Sequence, residues 1–232
     1  MAAKGADLIL CARRSDKLKK LQKDLTKTHR VSIHTASLDV QNRKEVHAFI
    51  GNIPDPFKKI SILINNAGLA LGLESIQDAS MDDWDTMIDT NIKGLLYMTR
   101  IILPGMIAQN EGHIINLGSI AAHSIYPKGA VYCATKHAVR TFSQGLRMDL
   151  SGTRIKVTLI DPGMVDTEFS LVRHRQNVQT AKDVYKGFQA LTAQDVADAI
   201  LYALMTPPHV NIDDIVIMPT AQAAVSMVHR EK

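Results

Sequence analysis

Cysteine is nearly absent from the chain: Cys11 and Cys133 are the only two in 232 residues. Two thiols cannot build a disulfide framework or a thiolate metal cluster, and they suit a reducing compartment. No apolar run approaches the roughly 18 residues of a membrane span. The first residues also lack the charged and apolar regions of a secretory signal, so a cytoplasmic protein without a membrane partner is expected. The nine histidines show no metal-ligand spacing, and no metal is expected. Aromatic residues make up 5%, with Trp84 the single tryptophan, expected to pack in the core. Among thirteen glycines no Gly-x-Gly occurs, so a phosphate-binding turn of that form is missing. What remains is an ordinary globular composition, 46% apolar and 22% charged. Such a chain buries enough surface to need no covalent or metal staples.

Charge is scarce in total, +4, but unevenly placed. Residues 13 to 30 carry eight Lys or Arg against Asp16 and Asp24, which makes this stretch +6 and the remainder −2. Leu18, Leu21 and Leu25 recur at helical spacing between the lysines, as on a solvated amphipathic helix. No aromatic interleaving or recognition motif accompanies the charge, so nucleic acid is not an expected partner. Arg13 and Arg14 stand apart, at the end of a strand.

Short β-branched runs alternate with longer helical patterns, the rhythm of parallel strands joined by crossover helices. Strands are expected at 6 to 11, 31 to 35, 60 to 65, 113 to 117, 155 to 160 and 214 to 218. Helices are expected at 15 to 28 with Ser15 as N-cap, then 42 to 50, 81 to 107, 130 to 150 and 193 to 205. No repeat or linker divides the chain, so residues 1 to 232 are expected to form one α/β domain with a doubly wound, Rossmann-like parallel sheet. Ligands bind such sheets at the carboxyl ends of the strands. There the sequence places Arg13 and Arg14, then Asp39 and Val40, then Asn65-Asn66-Ala67-Gly68, then Gly118-Ser119, and last Asp161-Pro162-Gly163.

Tyr132 and Lys136 open the helix at 130, and a spacing of four sets both on one helix face. With five tyrosines and 16 lysines, about one chain in three of this composition has such a pair by chance, and an exposed helical contact is the bland alternative. Cys133 points about 100° away on the helix and reads as a small packed residue. Ser119 lies thirteen residues before Tyr132, directly after an apolar strand, and Asn91 sits in the preceding helix.

Taken together these residues resemble the short-chain dehydrogenase/reductase family, whose active site is an Asn-Ser-Tyr-Lys tetrad. Asn91, Ser119, Tyr132 and Lys136 match it. The turn Asn65-Asn66-Ala67-Gly68 and the Pro162-Gly163 turn with Thr167 shortly after match further motifs of the family. The resemblance implies a hydride transfer to or from a nicotinamide cofactor, with Tyr132 as acid or base. Free tyrosine titrates near 10, so a nearby cation such as Lys136 is needed to favour phenolate. Ser119 is implied to hold the substrate oxygen, and Asn91 to hold a water that links Lys136 to solvent. Cofactor contacts are implied for Asn65, Ala67, Gly68, Pro162, Gly163, Val165 and Thr167, besides Tyr132 and Lys136. Asp39 resembles the family's adenine-contacting aspartate, with Val40 packing nearby. An acid after the first strand would select NAD, whereas arginine pairs with the 2′-phosphate of NADP. Arg13 and Arg14 therefore point to NADP.

The segments 166 to 173 and 207 to 220 are similar to those of NADP-dependent 3-hydroxy acid dehydrogenases, which oxidise serine and L-allo-threonine. A small hydroxy acid or carbonyl substrate is thereby implied. Arg173 is the candidate for its carboxylate, with a solvated surface arginine as the alternative. Family members usually form dimers or tetramers, so a homodimer or homotetramer is implied.

One part of the family pattern is absent. Members begin with a strand, a turn of the form Thr-Gly-x-x-x-Gly-x-Gly and a helix whose N-terminus binds pyrophosphate. Here Gly68 and Gly72 have the first spacing, but Glu74 stands where the last glycine would be. The chain reads as an N-terminally truncated domain, in which the strands at 6 to 11 and 60 to 65 have lost the strand between them and either close up or leave backbone groups unpaired. Three readings follow. A complete NADP oxidoreductase, of which this chain is a truncated product or gene model, is one. An inactive short form that serves as a binding partner or regulatory subunit is the second. The third, an extended-type relative such as a sugar-nucleotide epimerase, is disfavoured by the lack of an added C-terminal substrate domain.

Overall fold

The computed structural model describes residues 1 to 231. Strand β1 (Leu8–Ala12) leads through helix α1 (Ser15–Thr28) to β2 (Ile33–Ser37), and α2 (Arg43–Gly51) leads to β3 (Ile62–Asn65). Then follow α3 (Met81–Ile88), α4 (Leu95–Gln109), β4 (Gly112–Leu117), α5 (Ala130–Asp149) and β5 (Ile155–Pro162). The chain ends with α6 (Glu168–Arg173), α7 (Val178–Asp183), α8 (Ala193–Leu204), β6 (Asp214–Ile217) and a small hairpin, β7 (Gln222–Ala224) with β8 (Met227–Val228). All six long strands run parallel with their ladder neighbours.

The expected doubly wound sheet is present, divided into two ladders. Strands β3-β4-β5-β6 form one, and β1-β2 form the other. Among the described residues no ladder joins β1 to β3. Burial follows the division: β4 is buried from Gly112 to Asn116, whereas β1 and β2 are half-buried for most of their length.

Period-two alternation in β4 sends successive isoleucines to opposite layers. Ile114 packs with Leu63, Ile102, Met106 and Leu146, on the α4 and α5 side. Ile115 packs with Ile160 and Ala203, on the α8 side. Both isoleucines are fully buried. A strand covered on both faces reads as a mostly apolar run, which is why residues 113 to 117 stand out in the sequence. Trp84 is half-buried rather than central, at the margin of the cluster around Leu69, Met87 and Tyr132.

Two element expectations need correction. Ser15 is the first residue of α1 and Arg14 its N-cap, without a side-chain cap bond. The expected helix at 81 to 107 is interrupted by a π-turn, Asp89–Gly94, between α3 and α4. A π-turn inserts wider hydrogen-bonded rings without ending the helix, so no helix-breaking proline marks it in the sequence. The turn closes against the segment after β2 at Gly94, where an added Cβ would come within 2.7 Å of Val40.

Candidate active site

At the carboxyl end of β4, Ser119 takes an extended backbone and its hydroxyl accepts the N–H of Ala121 at 3.1 Å, opening the short turn Ile120–Ala122. That leaves the Ser119 proton to be donated elsewhere. Tyr132 and Lys136 enter from the first turns of α5, and both are buried, at 8% and 6% exposure. Burial rules out the exposed-contact reading of the pair. The ammonium of Lys136 lies 5.9 Å from the centre of the Tyr132 ring and donates to the Leu117 carbonyl at 2.9 Å. Burial pulls the Lys136 pKa down to about 8, against the charge of Asp161, which acts in the other direction. Burial also raises the Tyr132 phenol, while the Ser119 hydroxyl and the Arg173 charge lower it. A buried phenol needs such partners before it can surrender a proton at neutral pH.

Asn91 lies in the π-turn, 2% exposed. Its Oδ1 accepts the Leu69 N–H at 2.8 Å, and its Nδ2 donates to the Leu69 carbonyl at 2.8 Å and to Thr135 Oγ1 at 3.0 Å. Both amide hydrogens are thus spent on bracing the turn after β3 against α5. Thr135 completes the brace by donating to the Tyr132 carbonyl at 2.7 Å. An added Cβ on Gly68 would meet Asn91 Oδ1 at 3.4 Å and Lys136 Nζ at 3.5 Å, so the exposed backbone of Ala67 and Gly68 runs directly beside the lysine.

The other expected residues divide. Asn65 is turned inward: its Nδ2 donates to Thr99 Oγ1 at 3.0 Å and to Asn116 Oδ1 at 2.8 Å, which leaves its main chain alone to face a ligand. Asp39 and Val40 are half-buried after β2, with Asp39 Oδ1 accepting the Gln41 N–H at 3.0 Å. Pro162 ends β5, and Gly163 donates to the Ile217 carbonyl at 2.7 Å. Val165 bridges to Leu191, and Thr167 caps α6. Arg13 and Arg14 are exposed beyond β1, and Arg14 pairs with Glu168 at 2.7 Å.

Arg173, at the end of α6, is half-buried and not a solvated surface arginine. Its guanidinium stands 5.3 Å from the ring centres of both Tyr126 and Tyr132, and it donates to the Tyr126 hydroxyl. Sequence reasoning missed Tyr126, Thr135 and the side chain of Asp161. Asp161 left a readable trace, as the one acid in β5, and a fully buried carboxylate needs partners. His123, Asp161 and Asp214 bring ligand-type atoms within 4.8 Å of one another. The guanidinium of Arg140, 2.6 Å from Asp214 and 3.3 Å from Asp161, supplies the positive charge among them.

A parallel sheet that offers a serine, a buried tyrosine and a buried lysine at its carboxyl edge defines an α/β enzyme built for proton-coupled chemistry on an oxygen. The chain belongs to the short chain dehydrogenase family, whose model matches residues 1–177. It is 46% identical over 228 residues to an NADP-dependent 3-hydroxy acid dehydrogenase, YdfG, of Salmonella typhi, an alignment that spans 97% of this chain and 90% of the relative. It is 44% identical to sulfoacetaldehyde reductase 2 of Chromohalobacter salexigens, over 94% of this chain and 86% of that one. Among solved structures, the closed form of a serine dehydrogenase complexed with NADP+ superposes with a TM-score of 0.93 at 45% identity, covering 99% of this chain and 92% of that one. No helix among the described residues is long and apolar enough to cross a membrane.

Proposed function

We propose that the protein is an NADP-dependent oxidoreductase that moves a hydride between the cofactor and the 3-hydroxyl or 3-keto group of a small hydroxy acid, such as serine or L-allo-threonine. The observation that carries the acid is the Arg173 guanidinium 5.3 Å over the Tyr132 ring, a fixed cation beside the hydroxyl that handles the proton. A guanidinium binds a carboxylate through two parallel hydrogen bonds. The names of the relatives support the same class of substrate.

The residues present fit NADP at both ends. Arg13 and Arg14 offer cations for a 2′-phosphate, Arg14 in exchange for its pairing with Glu168, and the exposed Ala67-Gly68 backbone lies beside Lys136. When bound, the cofactor supplies or receives the hydride. Ser119 donates its free proton to the substrate oxygen and stabilises charge there. The Tyr132 hydroxyl passes a proton to that oxygen during reduction and takes it during oxidation. Burial opposes ionisation of Tyr132, and the Ser119 hydroxyl and the Arg173 charge oppose burial; the Lys136 ammonium adds a second cation that favours the phenolate. Asn91 holds the turn beside Lys136 through Leu69, and a water-relay role for it is part of this proposal.

The test is steady-state kinetics with NADP, together with NADPH titration. Tyr132→Phe is expected to bind NADPH normally and to lose turnover. Arg173→Ala is expected to raise KM for 3-hydroxy acids about 30-fold or more, in line with loss of a charged hydrogen-bonded pair, and to spare uncharged alcohols. An unchanged KM would remove Arg173 from the substrate site. Failure of the wild-type chain to bind NADPH would favour an inactive binding partner instead.

A further inference from the structure

We propose that Asp161 is a positioning residue of this active site, a buried carboxylate that holds Ser119 at its working height above the sheet. The proposal rests on the oxidoreductase reading given above. Asp161 lies near the end of β5, fully buried. Its Oδ1 accepts the backbone N–H of Ser119 at 2.8 Å. Its Oδ2 meets His123 Nε2 at 2.5 Å and Arg140 Nη1 at 3.3 Å. One carboxylate therefore ties the segment after β4 at two points, at Ser119 and four residues on at His123.

The surroundings leave Asp161 little freedom. Gly118 packs so closely on Oδ1 that any side chain there would collide with it, and the Gly118 N–H is held by the Ile160 carbonyl at 2.8 Å. Arg140 is anchored from behind by Asp214 at 2.6 Å. Lys136 and Arg140 are one turn apart on α5, so a single helix delivers the ammonium beside Tyr132 and the guanidinium beside Asp161. The charged and titratable groups around the carboxylate are His123 after β4, Lys136 and Arg140 on α5, and Asp214 on β6. The Ser119 hydroxyl must meet the reacting oxygen at hydrogen-bond distance, and a displacement of about 1 Å there costs on the order of 100-fold in rate. No substrate contact is needed for Asp161 to control that distance.

Asp161→Ala, Asp161→Asn and Ser119→Ala, with the double variant Ser119→Ala/Asp161→Ala, test this in the full chain. Asp161→Ala is expected to lower kcat about 100-fold with NADPH affinity unchanged. Asp161→Asn retains an acceptor for the Ser119 N–H and is expected to recover to within about tenfold of wild type. In the Ser119→Ala background, Asp161→Ala is expected to cost nothing further, because the two act as one unit. Amide hydrogen exchange supplies a readout independent of turnover: the Ser119 N–H is expected to lose protection in Asp161→Ala and to keep it in Asp161→Asn. Equal loss of kcat in the presence and absence of Ser119, or a Ser119 amide indifferent to Asp161→Ala, would overturn the proposal. If Asp161→Ala does not fold, Arg140→Gln takes its place, with a smaller fall in kcat that must likewise vanish in the Ser119→Ala background. A wild-type chain that turns over no hydroxy acid would sink the oxidoreductase reading alone, since the exchange comparison still decides the role of Asp161.

Discussion

Lys136 holds its ammonium in a site only 6% exposed, with one hydrogen bond, to the Leu117 carbonyl. Its folded pKa of about 8 lies below the ordinary value of 10.5, a difference of about 3 kcal/mol against the folded state. The sign follows from proton counting. Between about 8 and 10.5 the unfolded chain holds a proton that the folded one has released, so stability gains with rising pH across that window. Below about pH 8 the penalty is present in full. Lys136→Met is therefore expected to raise Tm by a few degrees at pH 7 and to change it little at pH 10.5, while abolishing turnover. Thermal unfolding at the two pH values checks this, and a lower Tm at pH 7 would contradict it. Tyr132 shows the complementary situation, a phenol that burial makes harder to ionise and that the charge of Arg173 eases.

At the level of elements, helices and strands were legible wherever the apolar pattern was regular. Residues 113 to 117 and 155 to 160 were readable because a strand covered on both faces is apolar at most positions, and α8 because of the apolar stripe that follows Thr192. The π-turn was not, since the contacts its residues make are tertiary: Val40 against Gly94, and the amide of Asn91 locked onto Leu69. Ser119, Tyr132 and Lys136 could be named from their motifs. The inward turn of Asn65 could not, because its partners Thr99 and Asn116 lie 34 and 51 residues away. The same holds for Tyr126, which becomes meaningful only once α6 carries Arg173 over its ring. Arg173 itself was placed by chemical expectation, a cation for a carboxylate, and α6 brings it to the tyrosine that such a substrate would need.

Considered whole, the molecule keeps apolar side chains exposed along its last elements. Tyr202 and Met205 at the end of α8 are 66% and 70% exposed, and Val216 on β6 is 45% exposed. We propose a homodimer or homotetramer that covers some of these groups; sedimentation velocity measures the assembly, and a monomer at working concentration would contradict it. The division of the sheet has a different consequence. The β1-β2 ladder, half-buried and served by α1, shares no backbone hydrogen bonds with the ladder that carries Ser119 and Asp161. Two ladders with such unequal burial are not bound to melt as one cooperative unit. In scanning calorimetry the enthalpy under the heat-absorption curve is expected to exceed the van't Hoff enthalpy, with the β1-α1-β2 segment melting first; a ratio of one would show that the two halves unfold together.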